Sequence, residues 1–309
     1  MQIISNNTDF IISEPTVVSI GKFDGDHIGH QKIFAVMRQI KADEMLKSAA
    51  FSFAFFDTPQ MSTMAEKRRL LKHEDVDYLI EFPFTDETKN MEAEVFIREV
   101  LIARLNMKHI VAGTDCSFGH NRSGNADLLR TLGPELGFKV TIIEKVSGGN
   151  EEISSTAVRS LIRNGNVEKA AVLNGRPYTV SGIARTGNKL GSRKLGFGTA
   201  NIIPEEGKLF PKEGVYLTKT LLSDGRRLYS MTNIGSNPSI DTDSFGHIIR
   251  CETHIFDFNE VLYGQFIQVE FLRHIRDEIR FSSVEELKAQ LEKDRQYCLS
   301  LIDSTGTKV

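Results

Sequence analysis

Two histidines, His27 and His30, close the run Gly21-Lys22-Phe23-Asp24-Gly25-Asp26-His27-Ile28-Gly29-His30, which lies between an apolar strand and an amphipathic helical segment. Glycines let the backbone approach a ligand closely. The helix that begins here offers unpaired N–H groups and a positive dipole end to an anion. Imidazole donors aimed at that anion suit transfer at phosphorus, where charge builds on equatorial oxygens and no covalent intermediate is required. Taken alone, the run is equally compatible with a glycine-rich turn carrying surface histidines.

A second run, Ile153-Ser154-Ser155-Thr156-Ala157-Val158-Arg159, puts hydroxyls at a helix start and an arginine one turn later. By itself this is an ordinary N-cap at Ser155 or Thr156. Together, in one strand–helix alternating half, the two runs resemble the paired signature of the nucleotidylyl transferase superfamily. The resemblance implies that Gly21, Phe23, Asp24, Gly25, Gly29, Ser154, Ser155 and Thr156 hold ATP, with His27, His30 and Arg159 acting at its α-phosphate.

A third run, Gly113-Thr114-Asp115-Cys116-Ser117-Phe118-Gly119-His120-Asn121-Arg122-Ser123-Gly124, resembles the flavin loop of bacterial FAD synthetases. That likeness implies flavin contacts from Asp115, Phe118 and Arg122, with Cys116 where the family has an aromatic. A polar surface loop with turn glycines is the plainer alternative. The family's Thr-Phe-x-Pro-His-Pro segment reads Ser52-Phe53-Ala54-Phe55-Phe56-Asp57-Thr58-Pro59 here, without the histidine.

In the C-terminal half, residues 187–201 combine glycines and basic side chains with Thr199 and Asn201. Such a loop can wrap phosphates through backbone N–H groups while Thr199 and Asn201 offer neutral oxygens to Mg²⁺. It lacks the Gly-Lys-Ser/Thr ending of a Walker A loop, and a basic hairpin on a barrel rim would also account for it. Leu195-Gly196-Phe197-Gly198-Thr199-Ala200-Asn201 resembles the Leu-Gly-Phe-Pro-Thr-Ala-Asn of riboflavin kinases, with Gly198 in place of proline. Glycine leaves φ free, so ordering the loop costs about 0.4–1 kcal/mol more, and weaker Mg-ATP binding is expected.

Gly214-Val215-Tyr216, the run 233–238 and Cys251-Glu252-Thr253-His254 extend this second resemblance. It implies ATP contacts from Gly187, Lys189, Gly191, Gly196, Phe197 and Asn233, metal ligation by Thr199 and Asn201, and Glu252 as general base. Direct phosphorylation of an alcohol needs a carboxylate within reach of the hydroxyl proton; by pattern alone Glu252 is as readily an outward charge on an edge strand. Arg276 and Phe281 are candidates for flavin contact, and a structural ion pair is an equal reading of Arg276.

Both resemblances together point to the bifunctional riboflavin kinase/FMN adenylyltransferase family. The implied chemistry is ATP-dependent phosphorylation of riboflavin to FMN, then adenylylation of FMN to FAD with release of pyrophosphate. ATP and Mg²⁺ would serve both steps. Two other readings stay open: a monofunctional descendant with one impaired site, more readily the adenylyltransferase, and a non-catalytic flavin or nucleotide sensor. Intact His27, His30, Arg159 and Glu252 argue against the sensor, since a pure binder has less need of transition-state donors and a base.

The elements that must position these residues follow from periodicity. Short β-branched runs at 17–20, 50–55, 78–82, 109–112 and 140–143 alternate with helical segments at 31–40, 65–71, 93–105, 125–132 and 156–163. This predicts an α/β N-terminal domain, residues 1–174, with a Rossmann-like parallel sheet whose ligands lie beyond the strands' carboxyl ends. After Asn174-Gly175-Arg176-Pro177 the segments 178–185, 214–222, 227–234, 252–256 and 265–273 read as strands without intervening helices. They predict a small antiparallel β-barrel with a terminal helix at 284–299, residues 175–309 forming the second domain.

Bulk composition fits this division. At 309 residues two domains are expected, and 40% hydrophobic with 26% charged residues describes an ordinary globular chain. A net charge of −3 argues against nucleic acid as a partner and leaves small polyanions such as ATP. Three scattered cysteines predict free thiols in a reducing compartment. Without a signal-like start or a run of ~20 apolar residues, the expectation is a cytoplasmic monomer or weak homo-oligomer with no membrane partner.

Overall fold

A computed structural model describes residues 1–53, 58–148, 151–186, 199–236 and 249–304. Gly187, Lys189, Gly191, Gly196, Phe197 and Gly198 lie outside the described residues, as do positions 54–57. The chain divides into two compact units, Met1–Thr58 with Met64–Ser155, and Pro59–Thr63 with Thr156–Val309.

In the first unit, β1 (Gln2–Ser5), β2 (Thr16–Ile20), β3 (Lys47–Phe53), β4 (Tyr78–Phe82), β5 (Met107–Gly113) and β6 (Lys139–Ile143) form a parallel sheet in the order β1-β4-β3-β2-β5-β6. Neighbouring residues on each strand enter different cores, because successive side chains point to opposite faces. Val18, Ala49, Ile80 and Ile110 pack with Phe96, Val100, Leu129 and Leu132, whereas Val17, Ala50, Leu79 and Val111 pack with Phe34, Met37 and Leu71. Burial on both faces is why these strands read as continuous apolar runs.

Helices α1 (Ile28–Asp43) and α2 (Met64–His73) supply Phe34, Met37 and Leu71, and so cover one face. The one-turn α3 (Asp86–Lys89) is closed by a capping box between Thr85 and Thr88. Next, α4 (Ala93–Val95) continues as a π-helical stretch, Phe96–Ile102, and with α5 (Ala126–Leu136) covers the other face. Asn125 caps α5 by accepting from the Leu128 N–H, and Gly137 ends it at φ 78°.

Strands β2 and β5 are adjacent, yet the chain leaves β2 through α1 on one face and β5 through α5 on the other. This is the topological switch point of an open α/β sheet, where a crevice forms beyond the strand ends. The loops holding His27 and Asp115 both begin there.

A short antiparallel pair, β7 (Ser147–Gly148) with β8 (Glu151–Glu152), precedes α6 (Ser155–Arg163). From Thr156 onward the chain belongs to the second unit, which takes in most of α6, α7 (Val167–Asn174) and the barrel. Strands β9 (Tyr178–Thr186), β10 (Ala200–Ile203), β11 (Gly214–Leu221), β12 (Arg227–Ser236), β13 (Ile249–Ile255) and β14 (Phe266–Arg276) close in the order β10-β13-β12-β11-β14-β9, antiparallel throughout. Sequence periodicity yields five of these; β10, short and directly after the glycine-rich run, is the sixth.

The barrel interior carries a hydroxyl network. Thr218 Oγ1 lies 2.8 Å from both Ser230 Oγ and Thr232 Oγ1, and Thr232 Oγ1 donates to Thr253 Oγ1 at 3.0 Å. Satisfied hydroxyls of this kind tie three strands together in a low-dielectric interior. On the outer face, α8 (Val284–Ser304) lays Cys298 and Ile302 over Val215, Leu217, Met231 and Phe256. All three cysteines are free.

Candidate active sites

Beyond β2 the chain turns through three residues of positive φ, Phe23 at 46°, Gly25 at 82° and Asp26 at 45°. Only the glycine adopts this region without strain, so Phe23 and Asp26 must be held there by their surroundings. Phe23 is buried, its ring 5.0 Å from Phe34 and edge-on to His30 at 5.5 Å. Gln31 Nε2 donates to the Asp26 carbonyl at 2.8 Å.

The loop delivers His27 to the N-cap of α1. Its side chain makes no capping bond, and no acidic residue occupies the first turn. The positive end of this 16-residue helix is therefore not neutralised by its own side chains and is available to a phosphate. The rings of His27 and His30 stack. Burial pushes the His27 imidazole down to about 4 against the opposing pull of Asp24 and Asp115, so it is neutral at pH 7. A Cβ on Gly29 would stand 3.1 Å from the His27 ring, closer than ordinary packing allows. Ser155 Oγ donates to the Asp24 carbonyl at 3.3 Å, tying the start of α6 to this loop. Thr156 and Arg159 continue α6 and belong to the second unit.

Asp115, at the end of β5, pairs with Lys145 at 3.6 Å and lies close enough to His27 to act on its charge. Cys116 is half-buried, and burial together with Asp115 pushes its thiol up to about 11. Phe118 is buried in the core, 5.8 Å from Phe96, and the space a Cβ on Gly124 needs is filled by its ring. It anchors the loop from beneath. Arg122 stays exposed at φ 58°.

Sequence reasoning missed Lys67. On α2, one turn before Leu71, it is buried and donates to Ser52 Oγ at 3.3 Å. Burial pushes its ammonium down to about 8, while Asp24 and Glu81 pull the other way. Its place on the apolar stripe of a helical segment, four residues from Leu71, was the available signal.

In the barrel, strand register brings the C-terminal candidates into one row. Asn201 on β10 pairs with Glu252 on β13, which pairs with Asn233 on β12. Thr253, Thr232 and Ala200 point inward, so their neighbours Glu252, Asn233 and Asn201 share the outer face. Directly paired side chains of this kind lie about 5 Å apart at Cβ. Thr199 immediately precedes β10. The Asn201 Oδ1 is buried and accepts no hydrogen bond among the described residues. An oxygen left this way suits a hard cation, and Mg²⁺ commonly takes only one or two protein oxygens, completing its shell with phosphates and water.

Arg276 is occupied elsewhere. Its Nε and Nη2 grip Asp294 of α8, at 2.9 and 2.7 Å to Oδ2, and Gln290 completes the carboxylate. Phe281 lies 6.0 Å from the same guanidinium.

Fold and site define a two-unit protein of the nucleotide-fold type, with a parallel α/β sheet that has a switch point in one unit and a closed six-stranded barrel in the other. The FAD synthetase family model matches residues 10–157 and the riboflavin kinase family model residues 174–302. The bifunctional riboflavin kinase/FMN adenylyltransferase of Haemophilus influenzae is 35% identical over 93% of this chain and 94% of its own length. Its counterpart in Escherichia coli is 34% identical, with 91% of each chain covered. The crystal structure of a Streptococcus pneumoniae protein described as macrolide-efflux superposes with a TM-score of 0.83 at 31% identity, covering 95% of this chain and 97% of that one. The chain belongs to the bifunctional riboflavin kinase/FMN adenylyltransferase family. Among the described residues no helix is long and apolar enough to cross a membrane.

Proposed function

We propose that this chain makes FAD from riboflavin in two ATP-dependent steps, phosphorylation at the barrel and adenylylation at the parallel sheet, with the functional boundary after Asn174. The observation that carries the kinase half is the row Asn201, Glu252, Asn233 on three neighbouring strands. Glu252 accepts the proton of the riboflavin 5′-hydroxyl as that oxygen attacks the γ-phosphorus of ATP, and the bond to the ADP oxygen breaks. Thr199 and Asn201 hold Mg²⁺, which when bound neutralises charge on the phosphates. Asn233 flanks Glu252 on the side away from Asn201.

In the second step an FMN phosphate oxygen attacks the α-phosphorus of ATP and pyrophosphate leaves. His27, neutral because it is buried, and His30 donate to the equatorial oxygens, while the open N-terminus of α1 supplies the surrounding positive field. Gly21, Gly25 and Gly29 admit the nucleotide backbone-close, with Ser154 just before α6 and Ser155, Thr156 and Arg159 on it as the further candidates. Asp115 and Arg122 face flavin from the β5 loop, with Phe118 as its anchor. Arg276 serves as a structural ion pair, since its guanidinium is committed to Asp294. Free thiols and ATP use support a cytoplasmic location.

The test is a chromatographic product assay with Mg-ATP, run separately on riboflavin and on FMN. FMN from the first and FAD from the second are expected. FMN without FAD would locate a loss in the adenylyltransferase half and point to the sequence 52–59, which lacks the family histidine; binding of both flavins without product would overturn the enzymatic reading.

A further inference from the structure

The row of outer-face residues does not end at Asn201. On its other side β10 pairs with β9, and the residue directly opposite Asn201 is Arg185. Ala184, buried opposite the buried Ile202, fixes the alternation, so Arg185 shares the outer face with Asn201, Glu252 and Asn233. It is exposed, and among the described residues its guanidinium has no carboxylate or hydrogen-bond partner. Other barrel arginines are committed: Arg226 to Asp224 and Glu260, Arg227 to Glu270, Arg276 to Asp294. Two strand spacings, about 10 Å, separate Arg185 from Glu252, and a group held over Asn201 lies between them.

We infer that Arg185 is a phosphate-binding residue of the kinase site, its guanidinium engaging the γ-phosphoryl group of ATP from the β9 side. The inference rests on the reading of Glu252 and Asn201 as the kinase centre. A planar guanidinium grips two phosphoryl oxygens at once, and the transferring group spreads its charge over those oxygens. In the step itself the riboflavin oxygen bonds to the γ-phosphorus, the bond to ADP breaks with its electron pair, and the proton passes to Glu252. Arg185 takes no part in the proton transfer, and Asn201, between the two, is neutral and repels neither phosphate nor cation.

The experiment compares Arg185→Gln, Arg185→Lys and Glu252→Gln in the full chain, reading kcat and KM for ATP in riboflavin phosphorylation, FAD formation from supplied FMN, and thermal unfolding. Arg185→Gln is expected to lower the phosphorylation kcat about 10- to 100-fold, with FAD formation and the unfolding midpoint unchanged. Arg185→Lys should restore part of the loss, because it returns the charge without the two-pronged geometry. Wild-type phosphorylation by Arg185→Gln, beside an inactive Glu252→Gln, overturns the role of Arg185 and leaves the kinase centre standing. Undiminished phosphorylation by Glu252→Gln overturns the centre and the inference with it.

Discussion

The imidazole rings of His27 and His30 stack with centroids 3.8 Å apart and planes 15° from parallel. Two protonated rings so close repel, and burial holds His27 neutral, its ordinary value of 6.5 pushed down to about 4. The unfolded chain therefore binds a proton that the folded loop refuses between about pH 6.5 and 4. Stability rises with pH across that window, is fully present above it, and is lost as pH falls through it. Denaturant unfolding across this range should show a steeper acid loss for the wild type than for His27→Gln. Parallel curves would mean that His27 titrates freely.

Separate sites imply separable losses. His30→Ala should abolish FAD formation from FMN, by about 10²-fold or more for a lost transition-state donor, and leave riboflavin phosphorylation intact. Glu252→Gln should do the reverse. A product assay on each folded variant decides; loss of both activities from either substitution would refute two independent sites.

Lys67 sits beneath the His27 loop without surface access, held by Ser52 and facing the charge of Asp24 and Glu81. Replacing it with methionine keeps most of the volume and removes the countercharge of Asp24. FAD formation from FMN should fall about tenfold or more while the kinase reaction is unaffected, measured on the same preparation. An unchanged adenylylation rate would make Lys67 a packing residue only.

Asp294 is almost wholly buried beneath the bidentate grip of Arg276. Asp294→Ala leaves a desolvated guanidinium without its partner, at a cost of about 3–5 kcal/mol. Thermal unfolding should reveal this, and Arg276→Lys should also destabilise because one ammonium cannot replace two parallel N–H donors. If both variants melt like the wild type, Arg276 becomes available again as a flavin contact.

Much of this was legible beforehand because local chemistry writes itself into local sequence. The apolar runs at 17–20 and 109–112 announced buried parallel strands, and the glycine- and histidine-containing run announced a turn into a helix start. Strand β10 was not legible: only four residues long, it follows a glycine-rich run that reads as loop, and so Asn201 was expected beside a phosphate loop and not in a strand. The burial of Phe118 was not legible either, because it depends on Phe96 and Gly124 packing around its ring.

The sequence by itself determined the two-part architecture, the family and which residue types the candidate sites could draw on, since periodicity and short motifs are properties of neighbours along the chain. Only the tertiary structure decided which residues meet. Closure of the barrel aligned Arg185, Asn201, Glu252 and Asn233, which are spread over 68 positions from 185 to 252 and come from four strands. Folding of α2 against the sheet placed Lys67 under the His27 loop. Strand register and burial are set by long-range hydrogen bonding and packing, and no local pattern encodes them.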